Sequence, residues 1–351
     1  MTRSVRAAAL AALVLGPAAG LAQRRAARPA AARTLIVLNK GGATAAFVDL
    51  ATRRVTGTVP TGVGPHEVAV SPDGRTAVVG NCGDRTPGSS LTVIDVPRRA
   101  VVRTIPLGEY RRPHGITWLP DGRRVAMTVE ANRAVLLVTV ADGAVRAIPT
   151  GQEGTHLLAL APGGRRLYTA NIGGNSVSML DLARGVVART VTTMPRPEAI
   201  DVSPDGRELW VRPQVASGAP GVITVLNAAT LDSVAACPSG VVYPNRLRFT
   251  PDGRLVLVPD VQSGTVQLLD ASTRAPAAAI PFPRDTAKAP AHGGPMDRSA
   301  VPLGIVVTPD SRTAYVATAA HNEVAVVDVP GRRVVATLRP GDQPDGMAFV
   351  P

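Results

Sequence analysis

The amino-acid sequence predicts an all-β fold, a seven-bladed β-propeller of four-stranded blades covering 34–351. Three observations carry this prediction. A Pro-Asp-Gly-Arg turn recurs along the chain, the segments between its copies alternate apolar and polar residues, and turn formers are abundant, with 34 Gly and 32 Pro. Alternation at period two marks half-buried strands, and frequent Gly and Pro mark many short ones. With 351 residues, 45% of them hydrophobic and 18% charged, the chain has material for a large core and is not of disordered composition.

The first element is a leader. Residues 1–22 place Arg3 and Arg6 ahead of the apolar run Ala7–Leu15 and end on the small residues Gly20-Leu21-Ala22. This is the layout of a secretory signal peptide, and it predicts a periplasmic or secreted protein. Residues 23–33 read as a flexible basic arm, and no later apolar run is long enough to span a membrane. Half of the formal charge of +12 comes from the six arginines within 1–33. The remaining excess is modest, aromatics make up 3%, and no nucleic-acid-binding motif is present, so nucleic acid is not an expected partner.

The repeat defines the blades. Ser71-Pro72-Asp73-Gly74-Arg75 returns at Pro120, Pro162, Pro204, Pro251 and Pro309, and the chain stops at Pro351, where a seventh copy would begin. Successive prolines lie 48, 42, 42, 47, 58 and 42 residues apart, the period of one four-stranded blade. In each turn Pro presets φ, Asp binds the local backbone, and Gly accepts positive φ. Residues 34–60 supply the second, third and fourth strands of one unit, and Asp345–Val350 supplies its inner strand. Pairing the two chain ends in one blade would close the ring and remove an exposed edge.

The strand Leu167-Tyr168-Thr169-Ala170-Asn171, and more loosely Leu35–Asn39 and Ala77–Asn81, resembles the YVTN family of propeller repeats. So do the aspartates closing the third strands, Asp49, Asp95, Asp181, Asp270 and Asp328, with departures at Thr139 and Asn227. The resemblance implies a seven-bladed ring. It leaves activity open, because such propellers include surface proteins, lactonase-like hydrolases and domains of periplasmic redox enzymes.

Counting six residues back from each turn proline gives His66, His114, His156, Glu198, Asn245, Leu303 and Asp345. These positions are expected to form one ring around a mouth of the central channel. Imidazole and carboxylate are donors for a borderline divalent metal, copper or zinc. His66, His114, His156 and Glu198 are therefore the candidate ligands, with Glu198 also a candidate catalytic base. Asn245, Asp345, His292 and His321 are candidate ligand-binding residues on the same face. A merely wet, polar rim is the competing reading of the ring. The insertion Phe282–Ala300, which carries His292, reads either as a lid or as a disordered excursion.

Two functions follow. One is an exported binding or scaffold propeller that takes a small molecule or protein on the channel-mouth face. The other is a metal-dependent enzyme, a lactonase-like hydrolase or a copper-type oxidoreductase. No CxxCH motif is present, so covalent haem is not expected, and Cys82 and Cys237 are expected as separate thiols. The opposite face carries Arg53, Arg54, Arg98, Arg99, Arg332 and Arg333 in outer turns, which would permit weak contact with an anionic surface.

Overall fold

A computed structural model describes residue 1 and residues 33–214, 221–241, 243–283 and 300–351. The expected leader, the arm up to residue 32, and His292 with the interior of its insertion lie outside the described residues. Within them the chain forms seven four-stranded antiparallel sheets, 28 strands in all. Numbering blades from the first complete unit, the inner strands of blades one to four are Pro65–Val70, Pro113–Trp118, Thr155–Leu160 and Pro197–Val202. Those of blades five to seven are Arg248–Phe249, Pro302–Val307 and Pro344–Val350.

Blade seven is built from both ends of the chain. The strand Thr34–Asn39 pairs with Pro344–Val350 on one side and with Thr44–Asp49 on the other. The ring is closed as the sequence predicts.

The core is divided among the seven junctions between blades, one apolar cluster to each. The second strand of blade seven shows why these strands read as continuous apolar runs. Ile36 and Leu38 face blade one, whereas Leu35 and Val37 face blade six, and all four are fully buried. Outer strands such as Arg54–Pro60 bury little and keep the alternating pattern. Few rings serve this packing, among them the edge-to-face pairs Trp210–Phe249 and Tyr315–Phe349.

The turns work as their chemistry predicts. Ser71 Oγ donates to Asp73 at 2.5 Å, Asp73 accepts the Arg75 amide at 3.0 Å, and Gly74 sits at φ 71°. Asp205, Asp252 and Asp310 accept from Ser203, Thr250 and Thr308 in the same way. The aspartates ending the third strands cap the next turn, as Asp49 does for the Thr52 amide at 2.7 Å. Asn227, a departure from the repeat, serves equally by accepting the Ala229 amide at 2.8 Å.

One local feature positions the site. In six blades the pairing of the inner strand with the second strand slips by one residue at its start, for example between Pro65 and Glu67. A β-bulge of this kind bends the strand and re-aims its side chains. The slip falls at the position of the candidate ring. In blade five, Pro244 makes only an isolated bridge to Asp260 and the regular strand begins at Arg248, so Asn245 stands on irregular backbone. Among the described residues no helix is long and apolar enough to cross a membrane. Cys82 and Cys237 are separate buried thiols in blades one and four.

Deleting 344–351 should expose the edge of Thr34–Asn39 and open the ring. Thermal unfolding followed by circular dichroism should then show a strongly lowered midpoint or no cooperative transition; a truncated protein melting like the full-length chain would contradict closure as the source of stability.

Candidate functional site

The bulged starts of the inner strands bring the candidate residues together at one end of the channel. The imidazole of His114 lies between its neighbours, with ring centroids 4.1 Å from His66 and 3.8 Å from His156. Successive blades contribute the three rings. His114, His156, Glu198 and Asp345 are buried, whereas His66, Asn245 and Leu303 are half-buried. Neighbouring inner strands crowd together here. A Cβ at Gly346 would stand 2.2 Å from the His66 carbonyl oxygen, and one at Gly304 would stand 2.0 Å from that of Asp345. Thr128 Oγ1 accepts the Gly115 amide at 2.9 Å and donates to the His156 carbonyl, tying blades two and three beneath the rings.

His156 is held at both nitrogens. Its Nδ1 meets the Glu130 carboxylate, and its Nε2 lies 3.2 Å from Glu198 Oε1. Arg112 backs Glu130 at 3.3 Å. Burial opposes a charge on His156, but Glu198 and Glu130 outweigh it and raise its pKa to about 9. Glu130 is held below its ordinary value: burial works to raise it, and His156 and Arg112 overcome that. His66 behaves oppositely, because burial, reinforced by Lys40 and Arg246, lowers it to about 3. Burial and the neighbouring His156 and His66 likewise hold His114 well below the usual imidazole value. At neutral pH the site therefore offers two neutral imidazoles beside one charged imidazole clasped by two carboxylates.

The other half of the ring is an ion-pair network. Arg246 crosses from blade five to pair with Glu67 of blade one, and it stands 3.4 Å from His66 Nδ1 and 3.9 Å from Asp345. Asp345 lies 3.2 Å from His66 Nδ1 and 3.9 Å from Lys40 Nζ, yet neither of its oxygens accepts a hydrogen bond. Burial raises the Asp345 pKa against the pull of Arg246 and Lys40.

Of the positions singled out in the sequence, His66, His114, His156, Glu198 and Asp345 converge. Asn245 binds the Arg246 guanidinium through its side chain, and Leu303 supplies the ring's apolar member. His321 ends the short 3-10 helix Ala319–His321 in blade six, and its ring is not stacked on the three imidazoles. Asp201 and Arg248, on the neighbouring inner strands of blades four and five, face each other at 3.5 Å.

Three charged residues of this cluster escape the six-residue count: Glu130, Arg246 and Glu67. Glu130 directly follows the second strand of its blade, as Lys40 does in blade seven, and alignment on that strand end would have shown both. Glu67 and Arg246 each directly follow a ring residue; the bulge brings Glu67 to the channel beside His66, and the irregular backbone ahead of Arg248 does the same for Arg246.

His114, Glu130 and His156 each offer a ligand atom, and these atoms lie within 4.8 Å of one another, so the group is able to hold a metal ion. The fit is chemical as well as geometric. The His114 Nδ1 is buried without a partner, and with Glu130 at its Nδ1, His156 directs its Nε2 toward a carboxylate, as metal-bound histidines do.

The chain is similar in structure to hydrazine synthase of Kuenenia stuttgartiensis, with a TM-score of 0.69 and 21% identity over 84% of this chain and 92% of that one. It is also similar to a functionally unknown protein from Desulfotomaculum acetoxidans, with a TM-score of 0.71 and 16% identity over 90% of this chain and 98% of the other. At these identities the likeness establishes the fold. No protein-family model matches the sequence, and no curated protein does.

The low His66 pKa has a consequence for stability. The imidazole stays neutral in the fold down to about pH 3 but titrates near 6.5 in the unfolded chain. This group therefore takes up a proton on unfolding below pH 6.5, and its own contribution to stability falls by about 1.4 kcal/mol per pH unit from there toward pH 3. His66→Gln should flatten the decline of the melting temperature between pH 6.5 and 4.5. An unchanged slope would contradict the assignment.

Proposed function

We propose that this chain is an exported metal-binding propeller, holding one divalent transition-metal ion, copper or zinc, through His114, His156 and Glu130 at the channel end. The observation that carries this reading is the unpartnered, buried Nδ1 of His114 beside a histidine already clasped by carboxylates. A buried polar atom without a partner is costly, and a metal would satisfy it. Imidazole and carboxylate donors suit zinc and, with higher affinity, copper. To bind, the ion would displace the Nδ1 proton that His156 carries at neutral pH, while the Nε2 hydrogen stays on Glu198; His66 flanks the group as a neutral imidazole.

The ion would present a Lewis acid to a small molecule or protein arriving at the channel-mouth face. Three protein donors are the number found in catalytic rather than structural zinc sites. That favours, as a second reading, a metal-dependent enzyme in which Glu198 acts through His156 as a positioning residue. Export rests on the leader at 1–22.

Elemental analysis of untagged protein should find one equivalent of copper or zinc per chain. His114→Ala combined with His156→Ala should abolish binding. Glu198→Gln should weaken it about 10- to 100-fold by removing the orienting carboxylate, and His321→Ala should leave it unchanged. Substoichiometric metal that is the same in the double variant would end this reading.

A further inference from the structure

On the face that carries the imidazoles, a cleft of about 320 Å³ opens between blades six and seven. Leu303, Ala319 and Ala320 form its apolar wall, and Lys40, Gln343 and Asp345 supply its polar groups. Closure of the ring puts the two charged residues there. Asp345 opens the last inner strand, and Lys40, just past the strand paired with it, donates its amide to the Gln343 carbonyl at 2.9 Å.

The charged pair is poorly matched. Asp345 is 1% exposed and neither oxygen accepts a hydrogen bond, although buried carboxylates ordinarily accept several. Lys40 Nζ stands 3.9 Å away, beyond hydrogen-bonding distance, on a side chain 39% exposed at the rim. Arg246, also at 3.9 Å, is committed to Glu67. A buried carboxylate that accepts no hydrogen bond, although His66 Nδ1 stands 3.2 Å from it, a rim cation on an exposed side chain and an apolar wall thus meet in one cleft.

We propose that this cleft binds a small aliphatic zwitterion of the α-amino-acid class, its ammonium against Asp345, its carboxylate on Lys40 and its side chain against Leu303, Ala319 and Ala320. In doing so it takes over the place of the Lys40 ammonium, and Lys40 turns outward to the ligand carboxylate. The choice of class follows from charge matching. An amine alone would face Lys40 and Arg246 without compensation, and a carboxylate alone would leave Asp345 unsatisfied. A zwitterion replaces one loose ion pair by two close ones and keeps the local charge balanced. The inference goes beyond the metal reading and needs no metal.

Isothermal titration of the full-length chain with L-leucine, 4-methylpentanoate and isoamylamine, each with and without one equivalent of zinc, tests it. Leucine should bind one-to-one at least tenfold more tightly than either analogue, in both conditions. Lys40→Met and Asp345→Asn should each weaken leucine at least tenfold, and Ala320→Trp, which fills the cleft from an exposed position, should do the same. Lys40→Met alters only a rim side chain, so it decides the matter even if Asp345→Asn fails to fold. No leucine binding, equal binding of an analogue, or indifference to Lys40→Met would overturn the proposal. Binding seen only with zinc present would place leucine on the metal, and would overturn the cleft while supporting the metal site.

Discussion

The antiparallel pairing of Thr34–Asn39 with Pro344–Val350 is the contact on which the rest of the molecule depends. Without it the ring has two free edges, and the apolar clusters on either side of blade seven lose one wall each. The same pairing completes the site, because it brings Lys40 and Asp345, more than 300 residues apart in sequence, to within 3.9 Å of each other. Stability and site geometry therefore share one cause: the phase at which the chain ends fall within the repeat.

Within the closed ring, the bulge at the start of the inner strands decides what the channel end can do. A regular strand would alternate its side chains between two faces, and one residue per blade would reach the axis. The slip brings consecutive residues such as His66 and Glu67 to the axis, and this density lets cations, carboxylates and imidazoles share so small a space. Charge then sorts itself around the ring. Three imidazoles whose centroids are 4.1 and 3.8 Å apart do not all take the second proton that makes them cations. The proton stays on His156, between Glu130 and Glu198, while His66 and His114 remain neutral.

Much of this was legible in the sequence, for a physical reason. The Pro-Asp-Gly turn fixes where each inner strand ends, so counting back from it reaches structurally equivalent residues in all seven blades. The fold, its closure and the convergence of His66, His114, His156, Glu198 and Asp345 follow from that count. Glu130 was not legible from it, because it directly follows the end of a second strand, which that count does not reach. Glu67 was hidden behind the bulge and Arg246 behind the irregular backbone of blade five, neither of which a strict alternation of strand faces contains. Burial of the ring was not legible either. It is accompanied by the close approach of inner strands at Gly115, Gly304 and Gly346, which the six-residue count does not reveal.

The account thus has the repeat building the ring, the bulges filling its axis, and a buried imidazole nitrogen left for an ion. Anomalous diffraction at the zinc edge from zinc-soaked crystals tests it most directly. The account predicts one dominant peak among His114, Glu130 and His156, with Glu198 on the far side of the His156 ring. A dominant peak elsewhere on the molecule, or imidazoles turned away from the channel axis, would contradict it.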